Sequence, residues 1–251
     1  MTKRRKFWVR SVGPIRGQVA EGWTITPLVR DYPGLMGSLT VYASTLEPGV
    51  MPHAMHSHPE EEIELLLRGE LELITPEQTF RLGPGSLHFQ PAGASHTMRS
   101  VGSEPALFLV LKWSAEGDIG AAEPSGRAVF DGTTLAQWEE RPGIQRQPLG
   151  GPLTLANGTQ LVVYAAHWRA QSGCRLHVDP HDSLVVLAAG RWAGFGHDTE
   201  APAVVYYPAG AAHGVRAVDA EPTLAFYLQF YPAGCLHAAS PVPAGAELIS
   251  I

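Results

Sequence analysis

The stretch PHAMHSHPEEEIELLLRGELEL, Pro52 to Leu73, places His56, His58 and Glu62 directly before an apolar run that ends at Arg68-Gly69. Side chains of a strand alternate faces with a period of two, so His56 and His58 point to one side, and Glu62 shares their parity. Such a segment is either a polar loop leading into an ordinary strand or most of a metal site. A fourth donor stands in the next hairpin, GSLHFQPAGASH (Gly85 to His96). There Gly83-Pro84-Gly85 makes a turn, a short strand follows, and Pro91-Ala92-Gly93 bends the chain before His96. These prolines and glycines set backbone angles and so fix where His96 emerges.

Working outward, the chain has 251 residues, 45% hydrophobic and 17% charged, enough apolar content for a sizeable core. The 27 glycines and 21 prolines disfavour long helices and favour short strands joined by turns. A net charge of −6 draws the chain to neither nucleic acid nor an anionic membrane, so neither is expected as a partner. The N-terminal MTKRRKFWVRSV is basic but leads into no apolar h-region, so no secretory signal is expected. Nor is there an apolar run of about 18 residues, the length a membrane helix needs. Cys174 and Cys235 are too few for a disulfide framework and read as free thiols, which favours a cytoplasmic protein.

The sequence also repeats itself. PAGASHTMRSV (Pro91 to Val101) returns as PAGAAHGVRAV (Pro208 to Val218), and EPALFLVL (Glu104 to Leu111) as EPTLAFYL (Glu221 to Leu228), both 117 positions later. HSHPEEEIELLLRG aligns with HVDPHDSLVVLAAG at a separation of 121, the difference needing only a shortened hairpin. SAEGDIGAAEPSGRA (Ser114 to Ala128) has linker composition. The expected organisation is a domain over residues 1–115, a linker over 116–127 and a second domain over 128–251. Short apolar runs separated by EPG, TPEQ, GPG and PAGAS predict an antiparallel sandwich or barrel in each, with one helical pattern at TTLAQWEER (Thr133 to Arg141).

The spacings Gly49…His56-x-His58-x3-Glu62-x6-Gly69 and Gly85-x5-Pro91-x-Gly93-x2-His96 resemble the paired signatures of the cupin superfamily. One extra residue lies between Gly49 and His56, and Ser100 stands where asparagine is usual. Through the internal repeat the chain resembles a bicupin. The resemblance implies an all-β fold of two tandem antiparallel barrels of the jelly-roll type. It also implies one divalent metal per chain, in the first domain, on His56, His58, Glu62 and His96. Three imidazoles and a carboxylate suit iron, manganese, nickel, copper or zinc and leave positions for water, substrate or dioxygen.

Other residues near the motif read differently. Glu64 shares the parity of Glu62, so an uninterrupted strand aims it into the barrel as a base or acid, whereas a bulge turns it outward. Glu60 and Glu61 read as a solvated turn, His53 as a loop residue, and His88, between Leu87 and Phe89, as outside the cavity. In the second copy the four motif positions hold His177, Asp179, Ser183 and His213, with His181 and Cys174 nearby. Ser183 in place of the carboxylate favours a domain that binds no metal. The expected function is a metal-dependent enzyme acting on a small organic molecule, dioxygenase-like rather than a decarboxylase, hydrolase or isomerase, with Glu62 or Glu64 as base. The alternative is a non-catalytic binding or sensor protein. Either a monomer or a homodimer fits.

Overall fold

The computed structural model describes residues 6–14, 17–114, 125–132, 138–194, 196–235 and 248–249. Its strands pair antiparallel and form two compact units, each a β-barrel. The N-terminal unit is Gly13–Ala136 with Leu155–Asn157; the C-terminal unit is Met1–Val12, Gln137–Thr154 and Gly158–Ile251.

In the N-terminal unit the larger sheet runs in the order Ala128–Phe130, Leu87–Gln90, Glu61–Arg68, Ala106–Ser114, Gly37–Leu46, Trp23–Gly34, Gly17–Ala20. A smaller sheet joins Thr79–Leu82, Leu71–Ile74 and Thr97–Ser100. Between them lies an apolar cluster that includes Leu66, Leu73, Met98, Phe108 and Val110, against which Trp23 and Tyr42 pack. Burying each large apolar side chain contributes roughly 1.5–3 kcal/mol. Glu61–Arg68 is the central element. Its first six residues are buried on both faces, which is why the run reads EEIELLL rather than alternating cleanly.

The C-terminal unit repeats this plan. Its larger sheet orders Trp8–Ser11, Ala203–Tyr207, Asp182–Ala189, Thr223–Tyr231, Gln160–Trp168, Ile144–Pro148 and Glu139–Arg141. Even the irregularities recur. The pairing of Glu61–Arg68 with Ala106–Ser114 skips Leu67, and that of Asp182–Ala189 with Thr223–Tyr231 skips Ala188, 121 positions on. Gly69 and Gly190 follow, both at φ 82°.

Two segments cross the contiguous division read from composition. Trp8–Ser11 pairs with Ala203–Tyr207, so the first strand of the chain belongs to the C-terminal unit. Ala128–Phe130 pairs with Leu87–Gln90, so the strand after the linker belongs to the N-terminal unit. Just before it, Arg127 donates to Gln90 Oε1 at 2.7 Å and to the Ser95 carbonyl at 2.9 Å, bracing the hairpin that carries His96. The helix expected over Thr133–Arg141 is not what forms at its C-terminal end, and residues 133–137 lie outside the described residues. Glu139–Arg141 is a strand paired with Ile144–Pro148 through a two-residue turn at Pro142-Gly143. Gly143 sits at φ 75°, and such a turn directs the flanking residues into a hairpin whatever their helical propensity.

A Cβ on Gly69 would lie 2.7 Å from Ala106 Cα, on top of the cost of a positive φ. Gly69→Ala should therefore lower stability by about 2 kcal/mol or more, read as a fall in the urea midpoint by circular dichroism. Gly93→Ala, which meets nothing within 4 Å, should cost only the φ term.

Candidate metal centre

Backbone pairing brings the donors together before any side chain does. His56 and His96 form an isolated bridge, His56 N–H donating to the His96 carbonyl at 3.1 Å and His96 N–H to the His56 carbonyl at 2.9 Å. Gly93 N–H donates to the His58 carbonyl at 2.8 Å. The rings are then oriented one by one. Nδ1 of His56 lies 3.0 Å from the His96 carbonyl, Nδ1 of His58 3.0 Å from the Glu60 carbonyl, and Nδ1 of His96 3.0 Å from the Ala94 carbonyl. A ring nitrogen bonded to a carbonyl must be the one carrying the proton, which leaves each Nε2 with a free lone pair. One donor atom from each of the three histidines lies within 4.8 Å of the others.

Glu62 stands against two of these rings. Its Oε1 is 3.2 Å from His96 Nε2 and its Oε2 is 3.6 Å from His58 Nε2, while Lys112 Nζ stands 2.9 Å from Oε2. Burial alone would raise this carboxyl, but the His58 and His96 rings and the Lys112 ammonium outweigh it and hold Glu62 well below the ordinary carboxylate value. His56 is pushed down by burial and by its His53 and His96 neighbours, which keeps it neutral and able to ligate. For His96 burial would lower the ring, but Glu62 and the Ala94 carbonyl raise it. Among the described residues, His58 Nε2 and Glu62 Oε1 are buried without a directional hydrogen bond.

The open question at Glu64 has a definite answer. Glu62–Leu65 pairs in unbroken register with Leu87–Gln90, and the bulge lies further on, at Leu67. Glu64 therefore shares the interior face of Glu62, directly opposite His88. Glu64 Oε2 lies 2.5 Å from His88 Nε2, and both side chains are buried. The outward reading of His88 is thus corrected: Leu87–Gln90 is buried on both faces, so its polar residue does not mark a solvent side. Glu61 is corrected too. It is 1% exposed and accepts hydrogen bonds from Trp113 Nε1 at 2.8 Å and Ala156 N at 2.9 Å, on the opposite face from Glu62. His53 stays in a loop but packs on His56, ring centroids 3.9 Å apart. Tyr42 is the residue the sequence reading missed altogether. Burial first, then the charges of Glu62, Glu64 and Glu60, push its hydroxyl far up, so it remains a neutral phenol.

The second copy keeps the backbone device. His177 and His213 pair across their strands, and Gly210 N–H donates to the Asp179 carbonyl at 2.8 Å. His177, Asp179 and His213 offer donor atoms within 4.8 Å of one another, a convergence that the loss of the motif carboxylate at Ser183 had argued against.

Comparison with known proteins agrees with this geometry. Residues 43–112 match the family model described as Cupin domain. An 86-residue segment is 38% identical to dimethylsulfoniopropionate lyase DddQ of Ruegeria pomeroyi, covering 34% of this chain and 40% of that protein. Among solved structures, protein Ylba from E. coli superposes with a TM-score of 0.70 at 12% identity, over 92% of this chain and 93% of that one. Oxalate decarboxylase from Lactobacillus farciminis superposes at 0.65 and 13% identity, over 97% and 88%. At such identities the structural likeness establishes the two-barrel fold.

In metal-stripped protein, Glu62 contributes stability that is complete above its ordinary value of 4.5 and is lost as the pH falls through the depressed folded value. Glu62→Gln should flatten the acid limb of a plot of melting temperature against pH below about 4.5. Thermal melts of the two apoproteins across pH 3–7, roughly the carboxylate and histidine range, provide the check.

Proposed function

We propose that this chain, which belongs to the cupin superfamily and folds as a bicupin, uses its N-terminal barrel as a metal-dependent active site that moves a proton on a small organic carboxylate. His56, His58, Glu62 and His96 would hold the metal. The chain fits it: three imidazoles already turned by backbone carbonyls, one ionised carboxylate, and two buried donor atoms with no directional partner. The donor set suits a first-row divalent ion such as iron, manganese, nickel, copper or zinc. When bound, such an ion supplies Lewis-acid polarisation of a substrate oxygen.

The observation that carries the reading is the buried Glu64–His88 pair beside that donor set. Two ionisable side chains facing each other in a barrel interior are costly to bury and contribute little net stability. They are suited to proton transfer. Glu64 would accept a proton at Oε2 and share it with His88 Nε2, while Tyr42, kept neutral, would donate a hydrogen bond to developing negative charge. Lys112 keeps Glu62 ionised and so available as a donor.

The second barrel offers an internal control. In the same register, Glu64 and His88 are replaced by Val185 and Val205, which pair and sit in the apolar core. The relatives support the substrate class, since dimethylsulfoniopropionate lyase and oxalate decarboxylase each take their name from a small carboxylate. Elimination and decarboxylation both need a positioned acid or base. A dioxygenase-like reaction with Glu62 or Glu64 as base, expected from the donor set, assigns no role to His88 or Tyr42.

Turnover of a panel of small carboxylates by the metal-loaded protein, followed by proton NMR in deuterated water with dioxygen uptake recorded in parallel, tests the proposal. We expect dioxygen-independent loss or exchange of a substrate C–H or loss of carbon dioxide. Glu64→Gln should reduce it at least a hundredfold, within the usual range for removing a general base, with metal content unchanged. Dioxygen consumption untouched by Glu64→Gln would favour the dioxygenase-like reaction. Metal retained with no turnover of any candidate would favour a binding protein.

A further inference from the structure

We propose that the C-terminal barrel holds a second divalent transition-metal ion, in a structural role, on His177, Asp179 and His213 with His181 as the fourth donor. The site departs from the motif of the first barrel, because the position equivalent to Glu62 is Ser183 and the fourth donor comes instead from the turn before the strand.

Three imidazole nitrogens surround one carboxylate oxygen. Asp179 Oδ2 lies 3.7 Å from His177 Nε2, 3.7 Å from His181 Nε2 and 3.3 Å from His213 Nε2. Two of the rings are turned by backbone carbonyls, His177 Nδ1 by Arg175 at 2.8 Å and His213 Nδ1 by Ala211 at 2.9 Å, so their Nε2 lone pairs face inward. The independent sign is unmet bonding capacity. His181 is 2% exposed, yet among the described residues neither of its ring nitrogens has a hydrogen-bond partner, and Asp179 Oδ1 has none either. Buried polar atoms are normally paired, and leaving these unpaired is destabilising. A cation bound by Asp179 and His181 Nε2 removes part of that cost, leaving only His181 Nδ1 to be met.

The surroundings assign the role. Tyr207 stacks on His213 with centroids 4.4 Å apart, and Tyr231 lies 4.3 Å from His181. Behind them Tyr164 and Tyr227 stack at 4.7 Å, and Val185 and Val205 fill the positions that carry Glu64 and His88 in the other barrel. The Glu64–His88 pair therefore has no counterpart in this barrel. Four protein donors in such a setting make a closed, structural site, whose binding energy adds to that of folding.

The full-length protein, stripped with a chelator and reloaded with Zn²⁺, should contain two ions per chain by elemental analysis. His58→Ala should retain one, Asp179→Asn should retain one, and the double variant should retain none. Zn²⁺ should raise the melting temperature of His58→Ala protein but not that of the double variant. Should Asp179→Asn misfold, His181→Gln serves in its place and should weaken retention of the second ion tenfold or more, the loss usual for a disturbed metal site. A natively folded His58→Ala protein that binds no Zn²⁺ overturns the second site. If instead wild type and His58→Ala each hold one ion and Asp179→Asn holds none, the second site stands and the donor set proposed for the first barrel fails.

Discussion

The arrangement of both candidate centres rests on one pair of backbone hydrogen bonds, exchanged by the first and last histidine of each donor set. His56 and His96 stand forty positions apart, and their mutual N–H to carbonyl bonding sets the distance between the two hairpins at the donors themselves. The same carbonyl of His96 that accepts from the His56 backbone also orients the His56 ring. For His56, ring direction is therefore a by-product of strand pairing, while His58 and His96 are turned by the nearby Glu60 and Ala94 carbonyls. His177 and His213 repeat the device, and the Gly93 and Gly210 amides, bonded to His58 and Asp179, hold the opposite corner in each unit. Donor identity can drift around such a frame without the frame being lost.

That drift has taken the two barrels apart. One retains charge on its interior face: Glu62, Glu64, His88 and Lys112 occupy neighbouring positions of three adjacent strands. The other fills the matching positions with Ser183, Val185, Val205 and Gln229. A carboxylate in a barrel interior costs several kcal/mol of desolvation before any partner offsets it. Valines in the same places lower the free energy of folding directly. The first barrel carries an energetic burden that the second has shed.

Much of this was legible in the sequence. The repeat marked two copies of one plan, and the spacing singled out three histidines whose donor atoms converge and a Glu62 that lies beside His58 and His96. What escaped the reading has a common physical cause. Alternation assigns a strand one wet and one dry face, but Glu61–Arg68 and Leu87–Gln90 are buried on both. Under that condition polar residues on either face are buried, so Glu61 read as solvated and His88 as outward. Tyr42 gave no signal because an aromatic in an apolar strand looks like core, and it does pack against the core cluster. His181 shares the parity of His177 and Asp179 and stands close to them in sequence, but it lies in a turn, where spacing alone does not assign a side chain its direction. The exchange of end strands was equally hidden, since composition locates a linker but not the partner of the strand beyond it.

That exchange bears on how the protein is made. The strand Trp8–Ser11 leaves the ribosome long before its partner Ala203–Tyr207. The N-terminal barrel in turn waits for Ala128–Phe130 and Leu155–Asn157 before its edge is covered. Neither half is finished in the order in which it is synthesised. Nascent chains must carry an unpaired Trp8–Ser11 strand, and for a time an open sheet edge at Leu87–Gln90, until their partners have been synthesised, the interval in which edge-to-edge association with other chains is most damaging.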